Sequence, residues 1–230
     1  MNRTYFKAVR PDGTDFRTGK VHWLPAEGVI PAGGWVVEHP EPGQVGSWDE
    51  AGYLSAATVE TGCAGFSWPG RLLSVEPAAT MWTPYPDSFP RVRAAHAWRV
   101  VGELPAWQLL GPQGRQVAAL IEQVRHPSSA QIEGLTAERK AALDAARLAG
   151  RYAGLDAAWR AAWNAGRYAG RDAALDAASH AAWDVAWCVA WDTTWDAVIG
   201  LLVKDLISVE DFRTLTGPWE QVMGPIEVAA

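Results

Sequence analysis

Along the first hundred residues, apolar and polar positions alternate in short runs. TYFKAV (Thr4–Val9) is the first, closed by the turn residues Pro11-Asp12-Gly13. Lys20–Leu24, Trp35–Glu38, Tyr53–Ala57 and Arg71–Glu76 have the same turn-bounded character, and RVRAAHAWRVV (Arg91–Val101) is the longest candidate strand. PAGG, PEPG, WPG and MWTPYPDSFP punctuate the runs. The pattern predicts a twisted antiparallel sheet with long loops and one short helix near Trp48–Tyr53.

After Gly114 the period changes. Val117, Leu120, Ile121 and Val124 recur at helical spacing, which predicts one short helix stopping at His126-Pro127. PSSAQIEGL reads as a linker. From Thr136 to about Ile207 there is no proline and the composition is Ala, Leu, Arg and Asp, so helix is expected throughout, with Thr136 as N-cap. Ser208 then caps a last short helix, Val209–Leu215, ended by Gly217-Pro218.

Within the helical tract the chain repeats itself. GRYAGLDAAWRAAWNA (Gly150–Ala165) is followed at once by GRYAGRDAALDAASHA (Gly166–Ala181), and large residues recur every fourth position at Trp183, Trp187, Trp191, Trp195 and Ile199. A step of four overshoots a helical turn by roughly 40°, so the indole stripe winds around the helix and no single straight partner follows it. Unbroken, the tract would be a rod of roughly 105 Å. Its charges argue for folding back. Arg139, Lys140, Arg147, Arg151, Arg160, Arg167 and Arg171 dominate the first half, and Asp172, Asp176, Asp184, Asp192, Asp196 and Asp205 the second. An antiparallel hairpin bent near Gly166–Gly170 lays one along the other. Two helices have too little mass to bury Trp159, Trp163, Trp183, Trp187, Trp191 and Trp195, so these six are the expected interface of a homo-oligomer.

Composition narrows the function classes. The net charge of −6 argues against a phosphate-backbone binder, so no nucleic-acid partner is expected. Apolar stretches such as VAWCVAW and AVIGLLV are far short of a membrane span, and MNRTYFKAVRPDG lacks the apolar core of a signal peptide. Cys63 and Cys188 have no CxxC partner and read as reduced thiols. The expectation is a cytoplasmic protein without a membrane partner.

Candidate chemistry is sparse. The five histidines show no H-x-x-x-H or H-E-x-x-H spacing, so no metal is expected, and there is no P-loop, G-x-G-x-x-G or G-x-S-x-G. One enzyme-like order remains: a strand ending in Arg10, then Tyr53-Leu54-Ser55-Ala56-Ala57-Thr58, then a strand ending in Glu76. It loosely resembles ADP-ribosyltransferases. A cation for a pyrophosphate, a hydroxyl for the ribose and a carboxylate for oxocarbenium-like charge suit an NAD-using reaction. On that alternative Arg10, Ser55 and Glu76 must converge in one pocket. A third reading takes the Trp/Asp ladder as a sugar or cell-wall binder, which needs exposed flat indoles.

GFSWPGRLLSVEP (Gly65–Pro77), RVVGELPAWQLLGPQG (Arg99–Gly114), the DAAW and RYAG tetrads and KDLISVEDFRTLTGPW (Lys204–Trp219) together cover much of the chain. On them it resembles uncharacterised Ala/Trp-rich repeat proteins of actinobacterial phages, mycobacterial ones above all. The resemblance implies an accessory phage protein made in the bacterial cytoplasm, acting on host or phage proteins, with no cofactor and no catalytic residue assigned. The expected architecture is α+β. Residues 1–112 form a β-rich domain, 113–133 a short helix and linker, 134–207 the Ala/Trp-rich antiparallel helical hairpin, and 208–230 a tail with a short helix.

Overall fold

The computed structural model describes residues 3–63, 65–124, 127–148, 189–202 and 204–226. It is a mixed α+β protein divided into two compact units, Met1–Leu109 and Leu110–Ala230.

The first unit is a seven-stranded antiparallel sheet. Its strands are β1 Tyr5–Val9, β2 Trp35–Glu38, β3 Leu54–Ala57, β4 Arg71–Pro77, β5 Met81–Trp82, β6 Val92–Ala95 and β7 Ala97–Leu104, in the order β2-β7-β4-β1-β3-β6-β5. β1 lies centrally, pairing β4 along its length from Tyr5↔Val75 to Val9↔Arg71. Only one residue, His96, joins β6 to β7, yet β4, β1 and β3 stand between them in the sheet. The sheet therefore curls, and the chain from Val92 to Leu104 turns its corner. The expected single strand Arg91–Val101 is thus two strands. Apolar alternation alone does not reveal a one-residue corner, since Ala flanks it on both sides.

Tyr5, Val9, Leu54, Ala56, Leu73, Val75, Ala95, Trp98 and Val100 form the buried face, with Trp23 and Leu24 from the intervening loop. Trp98 is fully buried, donates from Nε1 to the Leu54 carbonyl at 3.1 Å and meets the Tyr5 ring edge-on at 5.5 Å. Lys20–Leu24, expected as a strand, contributes only the bridge Thr14↔His22. Asp15 claims this segment instead, its carboxylate accepting from Thr18 and Val21 N–H groups. β2 begins after Gly34, whose φ of +80° and approach to the Val100 carbonyl leave no room for a Cβ, which would lie 2.9 Å from that oxygen. The short helix expected near Trp48–Tyr53 is the 3₁₀ turn Glu50–Gly52, capped by Asp49.

The second unit is helical: α1 Gly114–Val124, α2 Ser129–Leu148, α3 Val189–Leu202 and α4 Val209–Met223. Val117, Leu120 and Ile121 of the expected stripe are fully buried. The supposed linker is helix. Ser128 caps α2, its Oγ accepting from Gln131 N–H while Gln131 Oε1 accepts from Ser128 N–H, a capping box that overrides the loop-like PSS composition. Thr136 is therefore interior, and its hydroxyl donates to the Ile132 carbonyl. Ser208 caps α4 as expected, but the helix runs through Gly217-Pro218 to Met223. Burial of Leu215, Thr216, Pro218 and Trp219 outweighs the single backbone donor that proline lacks. α3 and α4 touch closely at Gly200, where a Cβ would come within 2.9 Å of Thr216 Cγ2.

The ends of the repeat tract meet. Arg139 on α2 binds Asp196 and Asp192 on α3, and Thr193 Oγ1 donates to the Leu135 carbonyl at 3.3 Å. Most of the expected hairpin, 149–188, lies outside the described residues.

Candidate functional site

The three residues of the enzyme-like order do not converge. Arg10 follows Val9, which faces Arg71, whereas Glu76 follows Val75, which faces Tyr5. Six strand steps at ~3.3 Å place them roughly 20 Å apart along β1. Arg10 is engaged in its own turn, donating from Nη2 to the Phe16 carbonyl at 3.2 Å. Ser55 lines a cleft. Sequence order brought these residues together only on paper, because β1 and β4 run antiparallel and send their C-terminal ends to opposite edges.

That cleft lies where β1 and β3 part. The two strands pair at Phe6↔Ala57 and then separate, and the segment Gly62–Cys63 enters the gap. The opening, of about 60 Å³, is lined by Lys7, Ser55, Gly62 and Cys63 among alanines and Val92. Cys63 is buried and its thiol is pushed up to about 12 by burial, against the pull of Lys7 and of the Ala8 N–H. It is a thiol, not a thiolate, over the physiological range. Lys7 is held below the ordinary lysine range, first by burial and further by Arg17, although Cys63 and Asp15 act the other way. Its ammonium stands 4.9 Å over the Trp23 ring. Burial alone would raise the Asp15 carboxyl, but the Thr18 hydroxyl and the Thr18 and Val21 N–H groups hold it below its usual value.

A second feature is built from two loops. Trp48 is 73% exposed and Phe89 53%. Their backbones are nonetheless fixed. Tyr85 donates from its hydroxyl to the Trp48 carbonyl at 2.7 Å, and its ring packs edge-on against Phe89 at 6.0 Å. Trp82 donates from Nε1 to the Ser47 carbonyl at 2.9 Å and stacks edge-on with buried Tyr53 and with His96. Arg17 completes the brace, donating to the Tyr53 carbonyl and pairing with Glu50 at 3.5 Å. Burial raises the Tyr53 phenol well above the usual tyrosine range, so it stays neutral. Two apolar rings are thus presented to solvent on a rigid base.

The sequence reading missed Lys7 and took Cys63 only as a reduced thiol, without placing it in a site. A signal for Lys7 existed: period-two alternation in TYFKAV assigns it to the face of Tyr5 and Val9, where a lysine is out of place. No comparable signal marks Trp48 or Phe89, isolated rings in Pro/Gly-rich loops. Of the expected interface, Trp159, Trp163, Trp183 and Trp187 lie outside the described residues. Trp191 falls within α3 without a described side chain, and Trp195 is part-buried. Among the described residues no group of His, Cys, Asp or Glu is placed to hold a metal ion, and no helix is long and apolar enough to cross a membrane.

Compared with protein-family models, curated proteins and solved structures, the chain finds no match in any of the three.

Proposed function

We propose that the chain is a non-enzymatic interaction protein, an accessory protein of phage origin working in the host cytoplasm. Its Ala/Trp tract self-associates as a helical hairpin, and its sheet unit offers braced loops to a host or phage protein. The carrying observation is the exposure of Trp48 and Phe89 on loops whose backbones are tied down by Trp82 and Tyr85. Rigid, solvent-facing aromatic rings pay little ordering entropy on binding and are the residue types that anchor interfaces. The meeting of Arg139 with Asp192 and Asp196 supports the hairpin, since it joins the basic beginning of the tract to its acidic end. The separation of Arg10 from Glu76 removes support from the NAD-using alternative.

The test has two arms. Light scattering of the full chain should give a multiple of 24.9 kDa, and Trp187→Ala with Trp191→Ala should lower it. Trp48→Ala should leave the melting temperature unchanged while removing proteins captured from host lysate by the native chain. A monomeric mass together with capture indifferent to Trp48 would overturn the reading.

A further inference from the structure

Lys7 is the most anomalous side chain in the described structure. It faces Leu73 across β1–β4, between Tyr5 and Val9, on the face that forms the sheet's core cluster. A cation at such a position ordinarily has a carboxylate beside it. Lys7 has none within ion-pairing distance among the described residues. Asp15, an acid that acts on it, already commits its oxygens to the Thr18 hydroxyl and to Thr18 and Val21 N–H groups. Its amine instead lies over the aromatic face of Trp23, whose buried Nε1 has no acceptor among the described residues. Arg17 adds a like charge from the neighbouring loop. Burial, the largest influence, favours the neutral, nucleophilic form, aided by Arg17 and opposed by the smaller pulls of Cys63 and Asp15.

The cleft between β1 and β3 gives this residue a place to react. Lys7 lines it together with Cys63, and the remaining wall is mostly alanine, phenylalanine and valine, with Ser55 and Gly62. Of the nucleophiles present, the thiol is disabled by its raised pKa of about 12, which leaves the amine. At about 60 Å³ the opening equals the space of roughly five waters, so it takes a few heavy atoms and no more. No second cation lines it to select a phosphate.

We propose that Lys7 is a covalent capture site for small neutral aldehydes, which it takes up as an imine. The amine lone pair adds to the carbonyl carbon, and an amine proton passes to the oxygen to give a carbinolamine. Loss of that oxygen as water then forms the carbon–nitrogen double bond. The balance is Lys7–NH₂ plus RCHO giving Lys7–N=CHR plus H₂O, with no oxidant or reductant consumed. This site is independent of the braced loops and of the helical tract.

The chain has four lysines, 7, 20, 140 and 204, so the experiment carries its own controls. The intact protein is treated with propionaldehyde and cyanoborohydride near neutral pH, and the propylated peptides are quantified by mass spectrometry. Lys7 should be labelled about tenfold faster than Lys140, whose side chain is 78% exposed. The Lys7 rate should also reach its plateau at lower pH than the others. Benzaldehyde, too large for the cleft, should lose the preference. Labelling of Lys7 at or below the rate of the exposed lysines, or an equal preference with benzaldehyde, would overturn the proposal. Neither reading depends on a variant that folds.

Discussion

Replacing Arg139 by Met tests the clamp between the two ends of the repeat tract. Arg139 Nε lies 2.7 Å from Asp196 and Nη1 lies 3.2 Å from Asp192. The side chains of Arg139 and Asp196 are 29% and 19% exposed, against 52% for Asp192. Exposed ion pairs contribute about 0–1 kcal/mol, whereas removing one partner of a buried pair costs about 3–5 kcal/mol. The Asp196 arm falls between these limits, and Met keeps most of the stem's packing, so the loss should be about 2–3 kcal/mol at neutral pH. Burial raises the Asp196 carboxyl above its ordinary 3.8, Arg139 pulls it down and Asp192 pushes it up. An acid raised in the fold binds its proton there first, so stability falls as pH rises from the ordinary value through the folded one. Without Arg139 the folded value climbs further. The deficit should therefore be largest at neutral pH and shrink as the medium is acidified through the variant's folded pKa. Asp196→Asn in the same background should restore much of the loss at neutral pH, giving a coupling energy of about 2 kcal/mol. Urea unfolding followed by circular dichroism at neutral and acidic pH measures all of this. A deficit that is the same at both, or untouched by the Asn substitution, would refute the assigned role of Arg139.

Two further outcomes are expected from the sheet unit. Trp98→Phe strands the Leu54 carbonyl and weakens the contact with Tyr5, so urea unfolding should show a loss of about 2–4 kcal/mol. Gly34→Ala forces a Cβ into φ +80° and to 2.9 Å from the Val100 oxygen; a fall of about 1–3 kcal/mol should appear in the same assay, and an unchanged midpoint would count against the β2–β7 register.

Short strands with turn chemistry at both ends were legible, and β2 matches its expected bounds at Trp35–Glu38. What alternation does not encode is which strands pair. The corner at His96 and the central place of β1 depend on contacts far apart in sequence, such as Trp98 with Leu54. The α2 start was misjudged because Ser128-Ser129 reads equally as linker or as cap, and Gln131 decides it. At the site level, Ser55 was singled out for a partnership with Arg10 and Glu76 that the register forbids, while its real neighbours, Lys7 and Cys63, come together through the parting of two strands. Charge asymmetry along the tract pointed to a fold-back; among the described residues Arg139 meets Asp192 and Asp196, while the hairpin that would join them lies outside the described residues.

Both unusual features of the sheet unit depart from what stability alone selects. A methionine at position 7 would fill the same stem volume beside Tyr5, Val9 and Trp23 without desolvating a cation. A polar residue at position 48 would leave the Tyr85 bond intact, because that bond is made to the backbone, and would expose no indole. Neither change disturbs a hydrogen bond that holds the fold. The curled sheet therefore tolerates Lys7 and Trp48 rather than requiring them, and its fully buried centre around Trp98, Leu72, Leu73 and Val75 supplies the surplus that offsets them. Side chains that a fold carries at a cost, one inside and one outside, are where an activity of this chain is to be sought.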